Sequence, residues 1–429
     1  MISQELNQKI HFYLTCLLAF FTPIHPKILP ILIILLCVNW VINPTNIKQS
    51  YKTLSSNLVL STTAILYLMY LIGMLYSSNL GFGGRVLETK MSLIILPIIY
   101  SAYINVTKEK LNHYLKIFVY GCIVYALICF SYATYAYFLP LEIDLGNGYT
   151  FNYGANYFYY YYLSVFFHPS YTAMYSVFAL AIIVFGIKKE LIQFNWKTIL
   201  TIILLTIFVL LLSSKAGWIT LFLLCFYTFY LLVSKKKIIH TLYFIVPITV
   251  AFLVFNVYYT PLVSQRLPDV KAITNVVTEK NEKNEVVTTS KDGNAARILI
   301  WKASVELFVN NFLIGTGTGD SKDELLKIYH AKEMTTEYEN KLNSHNQFLT
   351  TAISLGFIGL LIMLFTFLLP FYFSISTKNY LISAFIILIS FNLLFESMYE
   401  TQAGIVFYAF FNTLLCSTFV KNYSEKKSQ

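Results

Sequence analysis

Residues 348–369, FLTTAISLGFIGLLIMLFTFLL, run for 22 residues without a charge. A hydrocarbon core about 30 Å thick takes about 20 mainly apolar helical residues to cross, so this run is long enough to span a membrane. Runs of the same kind recur outward in both directions, near 11–24, 28–42, 57–77, 91–104, 113–139, 170–187, 197–213, 216–234, 238–259, 379–395 and 402–420. Apolar residues make up 57% of the chain and charged residues 12%. Backbone groups cannot stay unpaired in lipid, and the apolar runs are continuous rather than alternating, which predicts helices and not barrel strands. The expected fold class is therefore an all-α polytopic integral membrane protein with about twelve transmembrane helices.

The N-terminal stretch MISQELNQKIHFYLT has a weakly basic start and no small-residue cleavage site, and reads as a retained first helix. All six cysteines (Cys16, Cys37, Cys122, Cys129, Cys225, Cys416) fall inside apolar runs, without metal or disulfide spacing, as small buried hydrophobes do. A net charge of +10 would suggest nucleic acid in a soluble protein; here most of the lysines sit in short loops, and no nucleic-acid partner is expected. Lys48 and Lys52, Lys108 and Lys110, Lys188 and Lys189, Lys235 to Lys237, Lys378, and Lys421, Lys426 and Lys427 fall in alternate connections. The intervening short loops hold Lys27, Arg85, Lys90 and Lys215. The positive-inside rule then places both termini in the cytoplasm and the alternate loops outside, in a bacterium the periplasm.

The expected organisation is helices 1–9 in residues 1–259, a large external loop at 260–345, and helices 10–12 with a cytoplasmic tail at 346–429. Within the loop, AARILIWKASVELFVNN carries Ile298, Trp301, Val305 and Phe308 at helical spacing, an amphipathic helix for the membrane or the bundle. A second helix should start at Ser321, where Ser-Lys-Asp-Glu offers a capping box with Glu324. VVTEKNEKNEVVTT between residues 276 and 289 reads as a polar hairpin or mobile loop.

Chemistry-bearing residues concentrate on the expected outside. The three arginines of the chain, Arg85, Arg266 and Arg297, all fall there. A lysine suffices for a basic face, whereas a guanidinium can grip phosphate or carboxylate in a bidentate fork; solvation in a polar loop is the plain alternative. Lys215, in LLLSSKAGWITLF, interrupts two apolar runs at a short turn and either snorkels to the interface or meets an anion. Just upstream of the opening run, Asn343-Ser344-His345-Asn346-Gln347 either caps the helix or presents His345 as a base, since neutral imidazole suits proton transfer near neutral pH. GTGTGD (315–320) is a turn or a phosphate cradle, and lacks the lysine spacing of a P-loop. Glu396 and Glu400 in ESMYETQAG can orient His345, bind sugar hydroxyls, or stay solvated. YTFNYGANYFYYYYL (149–163) suits an interfacial aromatic belt or stacking on sugar rings, and Arg85 with Lys90 around Glu88 either binds a lipid phosphate or anchors a helix.

These residues together resemble the O-antigen ligase and polymerase family. His345, ten residues, Gly356 and then Gly359-Leu360 resembles its histidine motif. SSKAGWI resembles its helix-start motif with Lys215 where the family usually has arginine, and AARILIWKASVELFVNNFLIGTGTGD resembles its loop segment. The resemblance implies a glycosyltransferase that takes a glycan from undecaprenyl pyrophosphate and passes it to an acceptor hydroxyl, on a lipid A core sugar, at the periplasmic face of the bacterial inner membrane. It implies His345 as base, Arg297, Lys215 and Arg85 on the donor pyrophosphate, Glu396 and Glu400 as orienting or acceptor-binding groups, and inversion at the anomeric carbon. No cofactor and no metal ligand set is expected. A polymerase or a protein O-oligosaccharyltransferase shares the same chemistry. A lipid-linked glycan flippase, the rival from another class, would carry polar groups deep in several spans and a repeat between halves.

Overall fold

The computed structural model describes residues 3–103, 107–138, 157–233 and 293–417. The expected span 238–259, Lys235 to Lys237, Arg266, the 276–289 hairpin, the first part of the tyrosine-rich stretch and the C-terminal lysines lie outside the described residues. Among the described residues the chain is helical and has no strand. The helices are α1 (Gln4–Phe21), α2 (Leu29–Val41), α3 (Pro44–Ser56), α4 (Leu58–Gly73), α5 (Leu80–Lys90), α6 (Ser92–Ala102), α7 (Lys108–Phe138), α8 (Pro169–Lys188), α9 (Trp196–Leu211), α10 (Lys215–Val233), α11 (Gly293–Asn310), α12 (Ser321–Ala331), α13 (Thr335–Glu339), α14 (Gln347–Ser376), α15 (Tyr380–Phe395) and α16 (Gln402–Cys416).

The count of about twelve spans is not confirmed. Among the described residues four helices are long and apolar enough to cross a membrane: Leu58–Tyr76, Lys108–Phe138, Pro169–Lys188 and Gln347–Ser376. A fifth is reached if Pro26–Val41 and Pro44–Ser56, which meet at 104°, count as one broken span. Trp196–Leu211, Lys215–Leu231, Tyr380–Phe395 and Gln402–Cys416 are apolar but shorter.

Polar side chains set the helix starts. Asn57 accepts from Val59 N and Leu60 N, Asn195 from Thr198 N, and Asn346 from Leu349 N, each satisfying an amide that the first turn leaves unpaired. The core runs through α8 and α16, whose residues are buried almost throughout. Phe118 of α7, Tyr175 and Phe178 of α8, Phe385 of α15, and Phe407 and Phe411 of α16 form one aromatic cluster. Its ring centroids lie 4.7 Å apart for Phe118 and Phe411, and 4.8 Å apart for Tyr175 and Phe407. Edge-to-face and tilted pairs of this kind add to simple area burial.

Side-chain hydrogen bonds tie the connections of the described residues together in two separate groups. In one, Asn7, Asn39, Asn46 and Tyr103 share hydrogen bonds, with Tyr103 OH donating to Asn7 Oδ1 at 2.8 Å and Asn46 Nδ2 to Tyr103 OH at 2.9 Å. In the other, Tyr171 OH accepts from Thr401 Oγ1 at 2.9 Å, Tyr159 OH meets Ser213 Oγ at 2.8 Å, and Lys90 meets Glu400.

One of the two expectations for the loop needs correction. Residues 293–310 are helical, but the face packed on the bundle is Ile300, Ala303 and Leu307; Ile298 and Val305 are exposed. Trp301 of the expected stripe packs inward with that face, while Ile298 and Val305 lie outward with the exposed Val309, Phe312, Leu313 and Ile314, so the helix is apolar both toward the bundle and away from it. Helix α12 does begin at Ser321, but the capping box does not form: Asp320 is the N-cap, without a side-chain cap bond, and Glu324 pairs with Lys327. The Asp320 carboxylate instead accepts from Ser78 N and Asn79 N, both at 2.7 Å, and so ties α12 to the start of α5.

The long helix α14 is broken at Gly356, where φ is +64°. Residues 312–317 enter the break. Thr316 N and Gly317 N donate to the freed carbonyls of Ile353 and Ser354 at 2.8 and 3.0 Å, while Phe357 N donates to Phe312 O at 2.6 Å. Thr318 then donates to α4, through its hydroxyl to Tyr70 O and its amide to Gly73 O. GTGTGD is thus a turn whose amides are spent inside the protein, and the cradle reading falls away. The motif glycine is required physically: a Cβ at Gly356 would lie 2.4 Å from Ile314 N and Leu313 O, in a left-handed conformation. Gly356→Ala is expected to destabilise the fold by about 1–3 kcal/mol or more, read as a lower thermal midpoint or lower folded yield in detergent. A variant that matches wild type would contradict the packing described here.

Candidate functional site

The turn before α14 is built by its own side chains. Asn343 Oδ1 accepts from His345 N at 2.9 Å, which closes an Asx turn with His345 at φ +44°, and Asn346 caps the helix. Helix α11 reaches this turn from the side. Arg297 and Trp301, one helical turn apart, share a face. Trp301 Nε1 donates to Ser344 O at 3.0 Å, next to His345. Arg297 Nη2 donates to Glu396 Oε1 at 2.9 Å, and the other oxygen, Oε2, lies 3.5 Å from His345 Nδ1. One carboxylate at the end of α15 therefore faces both the arginine and the histidine.

The electrostatics of Glu396 follow from that placement. Burial by itself raises its pKa, but the His345 hydrogen bond together with the charges of His168, Arg297 and His345 outweighs burial, and the carboxyl sits below its ordinary value. His168 had not been singled out in the sequence. It caps α8, with Nδ1 accepting from Ser170 N at 3.2 Å, and its Nε2 meets Tyr161 OH. No motif marks it; only its position before a proline at a helix start could have drawn attention.

Glu400, paired in the sequence reading with Glu396, stands apart. Its Oε1 accepts from Lys90 Nζ at 2.8 Å and from Gln347 Nε2 at 3.3 Å. Lys90 is fully buried, donates also to Tyr399 O at 3.3 Å, and lies 4.9 Å from the Tyr70 ring centroid. Gln347 accepts from Tyr399 N at 2.7 Å, so the first residue of α14 is fixed to the 396–401 loop on both of its amide atoms. This strut was legible only in part: Lys90 and Gln347 lie in stretches the sequence marks, but nothing joins them to Glu400 along the chain.

Lys215 is the first residue of α10 and is exposed. Its turn adjoins α8: Ser214 Oγ donates to Ser170 Oγ at 3.4 Å, close to the His168 cap. Arg85 is exposed on α5 and lies with Lys90 and Lys322 along a separate cavity, not beside Arg297. Arg266 is outside the described residues. Among the described residues no three His, Cys, Asp or Glu side chains are grouped to hold a metal ion.

The structure thus brings His345, Arg297 and Glu396 into one cluster, ties Ser214, the neighbour of Lys215, to the start of α8, and gives Arg85 and Glu400 other surroundings. Because the Glu396 pKa is depressed on folding, its contribution to stability is present above the ordinary carboxylate value of 4.5 and is lost as pH falls through the lower folded value. The stability gap between wild type and Glu396→Gln is expected to be widest near neutral pH and to close on acidification, as measured by thermal unfolding at a series of pH values. A gap that stays constant down to strongly acidic pH would argue against the ionised role of Glu396.

Among curated proteins none matches the chain. Residues 200–364 match the family model described as O-antigen ligase. The matched stretch contains Lys215, Arg297, His345 and the Gly356 break, and excludes Arg85, Lys90, Glu396 and Glu400. Over residues 200–364 the chain is thus similar to the O-antigen ligase family, as the motifs around Lys215, Arg297 and His345 led one to expect.

Proposed function

We propose that the protein transfers an O-antigen-type glycan from undecaprenyl pyrophosphate to a hydroxyl of an acceptor sugar, on lipid A core, at the periplasmic face of the bacterial inner membrane. The match of residues 200–364 to the O-antigen ligase model supports a ligase- or polymerase-type glycosyltransferase in general terms. The observation that carries the finer reading is the single carboxylate of Glu396, shared by Arg297 and His345.

In this reading the acceptor oxygen attacks the anomeric carbon while the bond to the lipid pyrophosphate breaks, and the leaving group departs with the electron pair. The proton of the hydroxyl goes to His345. An Nδ1–H tautomer directed at Glu396 leaves Nε2 as the basic atom, which is the arrangement a general base needs. Pyrophosphate is a good leaving group, so the protein supplies cations for its developing charge rather than a strong acid. Arg297 offers a guanidinium fork and Lys215 a point charge. Attack opposite the leaving group inverts the anomeric centre. Glu396 holds the base and the guanidinium in fixed relation and keeps both from drifting into solvent.

His345→Ala is expected to leave insertion and folded yield intact and to lower transfer by roughly 10²–10⁴, the usual worth of a positioned base. Equal rates for purified variant and wild type would exclude His345 as the base. In cells, loss of the protein should leave intact glycan polymer absent from lipid A core. A single capping repeat in place of polymer would identify a polymerase instead.

Lys215 is tested by charge and shape separately. Lys215→Arg should retain substantial turnover, because the positive charge survives; Lys215→Ala should lose about 2 kcal/mol or more of transition-state stabilisation. The measurement is transfer from a lipid-pyrophosphate donor, normalised to folded protein. Unchanged turnover in Lys215→Ala would remove this lysine from the reaction and return it to interfacial anchoring.

A further inference from the structure

The turn that carries His345 also borders a cavity of about 300 Å³, through Asn343 and Ser344. Its wall holds three cations, Arg85, Lys90 and Lys322, against one carboxylate, Glu400. Lys90 and Glu400 neutralise each other at 2.8 Å, with Lys90 fully buried. Arg85 and Lys322 remain. They flank one ring, with Arg85 Cζ 5.9 Å and Lys322 Nζ 6.0 Å from the Phe82 centroid, and among the described residues neither is in an ion pair. Ser321 adds a hydroxyl and Asn343 an amide to the same wall.

We infer that this cavity binds a phosphoryl group carried by the acceptor. Two uncompensated cations, one of them a guanidinium with a fork of donors, match a phosphate or pyrophosphate dianion better than a single carboxylate or a neutral sugar. The position assigns the ligand to the acceptor, an inference that rests on the function proposed above. Arg297 shares Glu396 with the base and belongs to the leaving group. The cavity reaches the same base through its chain neighbours Ser344 and Asn343. Displacement with inversion needs the two substrates on opposite sides of the reacting carbon, and two cationic sites beside one histidine meet that need. Arg85, grouped with the donor in the sequence reading, moves to the acceptor side. The same phosphoryl chemistry arises in two kinds of acceptor, a glycolipid with phosphorylated sugars or a second glycan on polyprenyl pyrophosphate.

The test uses the full-length protein in detergent, with inorganic pyrophosphate as the probe in titration calorimetry. Wild type should take up two equivalents. Arg85→Gln/Lys322→Gln should lose one of them, with a Kd weakened roughly tenfold or more; both side chains reach the surface, so folding should persist. Arg297→Gln/Lys215→Gln should lose the other. Two unaltered sites in Arg85→Gln/Lys322→Gln would overturn the cavity assignment. Two unaltered sites in Arg297→Gln/Lys215→Gln would overturn the donor reading and leave the cavity standing. In the latter background, lipid A micelles and polyprenyl pyrophosphate then compete for the remaining site. Displacement by lipid A identifies a phosphorylated-sugar acceptor, and displacement by polyprenyl pyrophosphate a lipid-linked one. Equal displacement by phosphatidylglycerol micelles would show a general lipid-phosphate site and sink the acceptor assignment. In transfer assays the cavity variant should raise the acceptor KM about tenfold and leave the donor KM in place.

Discussion

The site depends on one carboxylate. Glu396 is largely removed from solvent, and alone it would be driven toward its neutral form. Three basic groups from separate parts of the chain reverse that preference: His345 and Arg297 face its two oxygens, and His168 acts through its charge. The dependence is mutual. A guanidinium gripped on one side has its remaining donors directed away from Glu396, and an imidazole held at Nδ1 turns its other nitrogen outward. On the function proposed above, these outward-facing groups are the ones a substrate would meet.

Such a cluster holds only if its scaffold does, and two features away from the chemistry fix it. The break in α14 at Gly356 lets the 312–317 segment bond to both halves of the helix, so the loop that follows α11 is locked about two and a half turns from the helix start. Helix α11, which carries Arg297 and Trp301, is thereby fixed against the helix whose first turn follows His345. At the other side the buried Lys90 holds Glu400, and Gln347 bridges Glu400 to Tyr399. A buried ion pair of this type contributes little net stability, because desolvation offsets the attraction; removing one partner alone is what becomes costly. Its effect is to specify where the 396–401 loop sits relative to α14.

How much of this could be read from the chain follows from which signals are local. The apolar runs near 57–77, 170–187 and 402–420 fall on α4, α8 and α16, since hydrophobicity alone decides such helices. Helices α3 and α5 carry few apolar residues and gave no run to detect. The Gly356 break left no mark either, because a glycine in an apolar run is compatible with an unbroken helix until something fills the gap. On α11 the periodicity leaves membrane and bundle open as partners of the apolar stripe, and the structure divides it, with Trp301 inward and Ile298 and Val305 outward: a helix apolar on two sides does not declare which is which. His345, Arg297 and Glu396 were visible as scarce polar groups in loops of one side. Lys90 and Glu400 are 310 residues apart, and only the fold pairs them.

The position of Lys215 carries a last physical point. It is the first residue of α10, where the helix dipole presents its positive end and disfavours a cation by about 0.3–1 kcal/mol at an exposed site. Local helix physics therefore does not explain a lysine here; an acidic residue would serve the helix better. Its surroundings sharpen the contrast, because α8, α14 and α16 begin at the same end of the bundle, capped by His168, Asn346 and Thr401. Four helix N-termini, Arg297 and two histidines gather at this end, and the described carboxylates beside them, Glu396 and Glu400, are already engaged by Arg297 and Lys90. A membrane protein gains no stability from crowding positive potential in one place. On the function proposed above, a strongly anionic group arrives at this end, and Lys215 would then be the positive charge that a side chain, and not the backbone, contributes.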